Sequence, residues 1–162
     1  MSLLIRPATP DDHDALLSQF LGLNRYEYAI SDDRRTDDQG ALESLEDARR
    51  NIAATGGSAL VAELDGRVVG HLFLLFEEDD VFIRDDVRSY GYISSLFIQK
   101  AMRGSGVGKA LMVEAERIAV ARGVPRLMLY VLAGNPNAQR FYADAGFAPH
   151  GLEMMKSIAD KT

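Results

Sequence analysis

The chain has 162 residues, no cysteine and a formal net charge of -6, with 47% hydrophobic and 26% charged residues. That length fits one domain with a full apolar core, and the composition is too apolar for general disorder. Without cysteine there is no disulfide framework, thiolate metal site or thiol nucleophile, and an acidic chain is a poor match for a nucleic-acid backbone while remaining compatible with a cationic small substrate.

The opening residues show neither a charged leader ahead of an apolar run nor a small-residue cleavage site. The longest mostly apolar stretch, residues 68–76, is far short of the roughly 20 residues that cross a bilayer. A cytoplasmic protein with no membrane partner is expected. Residues 3–6 read as a short strand stopped by Pro7, and Asp11 or Asp12 caps a helix through Leu16, Leu17, Phe20 and Leu21. From residue 24 to 40 periodicity fades and charge rises, which predicts a loop. A polar helix over 41–54 follows, ended by Gly56 and Gly57.

Asp65-Gly66 between two β-prone runs signals a hairpin, because both turn residues need positive φ. Residues 77–86 hold six acidic residues against one Arg and read as a solvated loop. A strand over 90–98, a glycine-bearing loop over 102–108 and a helix over 107–122 come next, with Val107, Leu111, Ala115 and Ile118 on one helix face. Gly123 and Pro125 stop that helix. A strand over 126–132, a helix over 136–145 and a last short strand over 150–155 complete a mixed sheet covered by helices.

The three glycines Gly104, Gly106 and Gly108 sit where a buried strand hands over to a long amphipathic helix. A helix N-terminus carries unpaired N–H groups and the positive end of the macrodipole, and glycine lets backbone approach an anion there. Arg103 and Lys109 add charge, so phosphate or pyrophosphate is the ligand class this turn suits. Residues 99–126 hold six basic residues against two acidic ones, a local positive excess inside an acidic chain. Alone, the turn reads equally well as a plain connection. It is no P-loop, since Ala110 follows Lys109 where Ser or Thr is required. It also comes too late in the chain for a dinucleotide-binding βαβ unit. Downstream, Asn135 before Pro136 is a helix cap, and Tyr142, sharing a face with Ala138 and Ala145, reads by itself as a core aromatic.

Together the two segments say more. A strand with Leu96 and Ile98, then Arg103 to Gly108 opening a helix, then Asn135, Ala138, Tyr142, Gly146 and Phe147, resembles the GNAT family of N-acetyltransferases. The resemblance implies a single N-acetyltransferase domain over 1–162 of the acyl-CoA N-acyltransferase fold. That fold is α/β of the α+β type: a mixed, mostly antiparallel central sheet whose two central parallel strands, here over 92–98 and 127–132, splay apart, with helices on both faces. It further implies acetyl-CoA as cosubstrate and no metal. The pyrophosphate would lie on Arg103, Gly104, Ser105, Gly106, Val107, Gly108 and Lys109. The pantetheine arm would lie along Leu96, Phe97 and Ile98, with Asn135 and Tyr142 nearby.

Within that resemblance Tyr142 is the general acid, since a phenol of pKa about 10 is protonated at neutral pH and can donate to a thiolate of pKa about 8.5. A backbone N–H near Phe97 or Ile98 would steady the oxyanion. An alkylammonium of pKa near 10.4 must first lose a proton, yet Ser94 and Ser95 stand where relatives place a carboxylate. The base therefore stays open among Glu27, His71, Glu77 and Glu78, with Tyr90 and Tyr92 as candidate walls of the acceptor slot. Acidic residues dominate 31–50 and 77–89 and would steer cationic acceptors: polyamines, aminoglycosides, or a lysine or N-terminal amine of a peptide. With no cysteine, transfer to the amine would be direct. The alternatives are a non-catalytic acyl-CoA-binding sensory domain, made thinkable by the missing carboxylate, and a scaffold that pairs through its sheet edge as a homodimer.

Overall fold

In the computed structural model, which describes residues 2–159, five strands form one sheet in the order β1-β2-β3-β4-β5. These are β1 (Leu3–Pro7), β2 (Ser58–Leu64), β3 (Arg67–Glu78), β4 (Ser89–Ile98) and β5 (Leu127–Leu129). The first four pair antiparallel, with β2 and β3 joined through Asp65 (φ 49) and Gly66 (φ 80), the conformation an Asp-Gly hairpin turn requires. β4 and β5 pair in parallel.

Helices α1 (His13–Ser31) and α2 (Asp38–Thr55) cover one face, and α4 (Val107–Arg122) covers the other. A four-residue helix, α3 (Asp85–Arg88), interrupts the acidic connection before β4, and α5 (Pro136–Asp144) follows β5. The strand alternation sorts the two cores. Leu60, Ala62, Leu72, Leu74 and Ile93 point to Leu111, Met112 and Ala115 of α4, whereas Val61 and Phe73 point to Leu16, Phe20 and Leu45 of α1 and α2.

Three expectations change. Residues 24–31 are helix: α1 runs on to Ser31 and stops at Asp32, whose left-handed conformation (φ 59) lets its N–H reach the Tyr28 carbonyl. No Gly or Pro breaks the helix there, and Ile30 packs closely enough on Gly134 that a Cβ would lie 2.7 Å from its Cγ2. Tertiary contact, invisible in the local pattern, extends the helix. The strand expected over 126–132 keeps a ladder over Leu127–Leu129 only, and β5 is the sheet's edge among the described residues, so the splayed parallel pair is β4 with an edge strand. Residues 150–155 form no strand; Leu152, Met154 and Met155 are exposed and pair with nothing among the described residues. Among those residues no helix is long and apolar enough to cross a membrane, and no cluster of three or more His, Asp or Glu could hold a metal ion.

Candidate active site

The parallel ladder is short: Gly91 opposes Leu127, Tyr92 opposes Met128 and Ile93 opposes Leu129, and there the pairing ends. Beyond Ile93 the β4 edge parts from the chain that follows β5. Into that gap opens a cleft of about 890 Å³, lined by Leu96, Phe97 and Ile98 on one side and Tyr130, Val131 and Leu132 on the other.

The glycine loop forms the cleft's mouth. Gly106 is the N-cap of α4 with φ 90, and a Cβ built there meets nothing within 4 Å. The first helical bond runs from the Ala110 N–H to the Gly106 carbonyl. The N–H groups of Val107, Gly108 and Lys109 therefore have no partner in the helix and sit at the positive end of its dipole. Lys109, Gly104, Gly106 and Gly108 line the cleft. Such a cradle of free N–H groups suits an anion, and the space in front of Gly106 is open.

Several neighbours of the cradle have other work. Gly108 is small for packing, since a Cβ would lie 3.0 Å from the Phe141 ring. Val107 is a core side chain, 2% exposed, and Ser105 Oγ donates to the Met102 carbonyl at 2.6 Å. Arg103 lines the cleft with the cradle and is engaged by other partners as well. Its Nε donates to the Ile98 carbonyl at 3.1 Å, and its guanidinium lies over the rings of Tyr26 (5.1 Å) and Phe97 (5.8 Å), tying α1 to the end of β4. Asn135 Oδ1 caps α5 by accepting the Ala138 N–H at 3.1 Å and the Tyr26 hydroxyl at 3.4 Å.

Tyr142 is on α5, in the cleft wall, packed edge-on against Phe141 and Phe147. Burial first, then the Glu27 carboxylate, pushes its phenol pKa up to about 12, so it holds its proton throughout the neutral range.

A second cleft of about 420 Å³ lies between α1, α2 and β4, lined among others by Asn24, Ser44, Asp47, Asn51, Tyr92 and Ser95. Leu23, Glu27 and Tyr130 line both clefts, so the two meet. Of the four candidate bases the structure brings one to this junction. Glu27 is held by Arg34, whose Nε donates to its Oε2 at 2.7 Å. His71 is fully buried and lines neither cleft, and burial pushes its pKa down to about 3. Glu77 and Glu78 sit at the outer end of β3 opposite Tyr90 and Ser89, with Glu77 accepting from the Tyr90 hydroxyl at 3.5 Å.

The reading of residues 24–40 as loop hid Tyr26 and Arg34, and nothing in the local sequence marks them. Asp47 and Asn51 carried a signal that could have been used: they are four residues apart on one helix, and Asn51 Nδ2 donates to Asp47 Oδ2 at 3.2 Å.

A strand pair that parts over a cleft, with a helix N-terminus at its mouth and a tyrosine in its wall, is the arrangement that the motifs anticipate. Residues 24–147 match the Acetyltransferase (GNAT) family, and the chain belongs to that family. It is 31% identical to a mycothiol acetyltransferase of Streptomyces avermitilis over 73% of its own length and 36% of that protein's. It is 37% identical to an uncharacterized N-acetyltransferase of Mycobacterium bovis over 70% of its own length and 63% of the other's. The chain thus spans less than two thirds of either relative. In three dimensions it is similar to a Bacillus halodurans protein solved as a point mutant, with a TM-score of 0.82 at 20% identity over 96% of this chain and 99% of that one. A likeness at that identity speaks for the fold alone.

Proposed function

We propose that the protein is an N-acetyltransferase that moves the acetyl group of acetyl-CoA directly to a primary amine, with the cosubstrate in the larger cleft and the amine in the smaller one. The observation that carries this reading is the junction: Glu27 lines both clefts, and Tyr142 lines the larger. The cradle of Val107, Gly108 and Lys109 N–H groups, with the Lys109 side chain, suits a pyrophosphate. The β4 edge past Ile93 has no strand partner among the described residues, so its backbone is open to a pantetheine arm. Arg103 holds the Ile98 carbonyl there and has to yield part of that edge.

Chemically, the site must take a proton from the amine and give one to the departing sulfur. Glu27 receives the amine proton, directly or through a water. The amine nitrogen then bonds to the acetyl carbon as the carbon–sulfur bond breaks, and Tyr142 supplies the proton that the thiolate takes. The surplus proton of the new amide nitrogen passes to the Tyr142 phenolate, while Glu27 returns its proton to solvent. Arg34 lines the same cleft and offsets Glu27, so it is Asp47 that leaves the lining net acidic and favours a cationic acceptor, a small-molecule amine or the lysine or N-terminal amine of a peptide.

Acceptor-dependent release of CoA thiol tests this. Tyr142→Phe is expected to lower kcat about a hundredfold, the ordinary worth of a general acid, with acetyl-CoA affinity by titration calorimetry little changed. Glu27→Gln should lower kcat/KM for the amine and steepen its rise with pH, because only amine already deprotonated in solution then reacts. Full activity in Tyr142→Phe, or turnover confined to anionic amines, overturns the assignment.

A further inference from the structure

The face of the sheet under α1 and α2 buries a polar cluster: Gln19 (2% exposed), His71 (0%) and Ser95 (8%). Their protons can be placed from bonding alone. Gln19 Nε2 donates to the Val68 carbonyl at 3.3 Å, and a carbonyl can only accept. The amide orientation follows, so Gln19 Oε1 is the atom 2.8 Å from His71 Nδ1, and Nδ1 carries the ring proton. With the imidazole neutral, Nε2 is a bare lone pair, and Ser95 Oγ, 2.7 Å away, must spend its one proton there. A hydroxyl whose proton is committed offers only lone pairs to its other neighbours. Ser95 lines the smaller cleft.

We propose that Ser95 is a binding contact for the acceptor amine, its Oγ oriented by His71 and Gln19 so that it accepts an N–H of the incoming nitrogen and leaves that nitrogen's lone pair free for the acetyl carbon. The inference rests on the acetyl-transfer reading above and adds to it a specificity residue and two positioning residues. The register supports it. Phe73 opposes Ser95 while Leu74 opposes Ile93, so β4 bulges at Ser94, and the bulge re-aims this stretch of strand beside the cleft.

A serine, a histidine and an amide in a row also describe a nucleophile relay, which would place the acetyl group on Ser95. Two observations disfavour that. The group on Nδ1 is a neutral amide where a relay wants a carboxylate. The ring is enclosed by Phe20 (5.0 Å), Phe73 (5.2 Å) and Phe97 (6.3 Å), surroundings that oppose an imidazolium. His71 acts here as a fixed acceptor.

Two measurements on the full chain decide. Nitrogen NMR of isotope-labelled protein is expected to show His71 protonated on Nδ1 and bare on Nε2; the opposite tautomer overturns the proposal without any variant being made. Thiol release from acetyl-CoA is then followed with spermidine, kanamycin and a lysine peptide as probe amines. Ser95→Ala should raise the KM of whichever amine is used about tenfold, as for one lost hydrogen bond, with the acetyl-CoA dissociation constant unchanged and Ser95→Thr recovering most of the loss. Gln19→Leu, which frees the ring tautomer, should raise the same KM; a purely structural role would lower the melting temperature and leave KM alone. An unmoved amine KM in Ser95→Ala overturns the proposal. Thiol release that needs no amine and is lost in Ser95→Ala overturns it in favour of the nucleophile. Acetyl-CoA bound but no probe acetylated by the unaltered protein is a separate result, which removes the acetyl-transfer reading and this inference with it.

Discussion

The two faces of the sheet are built from the same strands and differ in kind. Toward α4 the contact is dry: Leu60, Leu72 and Leu74 meet Leu111 and Met112 with no buried polar side chain among them. Toward α1 and α2 the strands contribute Val61 and Phe73 but also His71 and Ser95, and the helix answers with Gln19. An apolar contact is worth more per area than a polar one, whose net gain is about 1 kcal/mol per hydrogen bond after water is displaced. The dry face fixes the helix whose N-terminus opens on the larger cleft. The polar face sets a defined hydroxyl beside the second cleft.

The largest expected effect sharpens this contrast. Leu111→Ala, at a fully buried position of the dry face, should cost about 3 kcal/mol in chemical denaturation. Below its unfolding transition the variant should keep the amine KM, because nothing on the second cleft has changed. A comparable rise in amine KM would break the division of labour.

The next effect concerns the polar face's outer end. Arg6 donates to both oxygens of Asp12, from Nη1 at 2.8 Å and Nη2 at 2.9 Å, and the Thr9 N–H donates to Asp12 Oδ2 at 2.7 Å. The Arg6 bond foremost, then the Thr9 N–H, lowers the Asp12 pKa from 3.8 to about 2, against the opposing cost of burial. A lowered pKa in the folded state stabilises the fold fully above the unfolded value of 3.8 and loses that contribution as pH falls through about 2. Asp12→Asn should therefore cost about 2 kcal/mol at pH 7 and progressively less in acid, read as urea midpoints across pH. An equal loss at both ends of the range would mean that packing, and not the ion pair, is what Asp12 supplies.

The smallest expected effect on stability is at Gly106. With φ 90 and open space around it, Gly106→Glu should cost about 1 kcal/mol in backbone strain. Its larger consequence is for the ligand: a carboxylate in front of the cradle should weaken acetyl-CoA binding at least tenfold. Unchanged affinity would move the phosphates elsewhere.

The larger cleft was legible in the sequence because its mouth is built from local backbone geometry. A positive-φ glycine ahead of a helix and an Asn-Pro cap announce themselves within a few residues. The smaller cleft was not. Residues 24–31 have no clean periodicity, and their helix is held by distant partners, Tyr26 reaching Asn135 and Ile30 reaching Gly134. Gln19, His71 and Ser95 are 52 and 24 residues apart in pairs, and only strand register and the bulge at Ser94 bring them together. His71 is a candidate base by residue type; its burial among three aromatic rings is a property of the fold. The strand expected over 150–155 rested on composition alone, and residues 150–159 are exposed throughout the described part.

Leu23, Glu27 and Tyr130 are shared walls, and sharing has a cost in space. In the proposed arrangement a longer acyl group held in the larger cleft extends toward that junction, into the volume of about 420 Å³ proposed for the acceptor. Acyl length and acceptor size then draw on one allowance of room. Propionyl and butyryl thioesters should shut out bulky amines before compact ones, so that the spectrum of acceptors narrows with each added methylene.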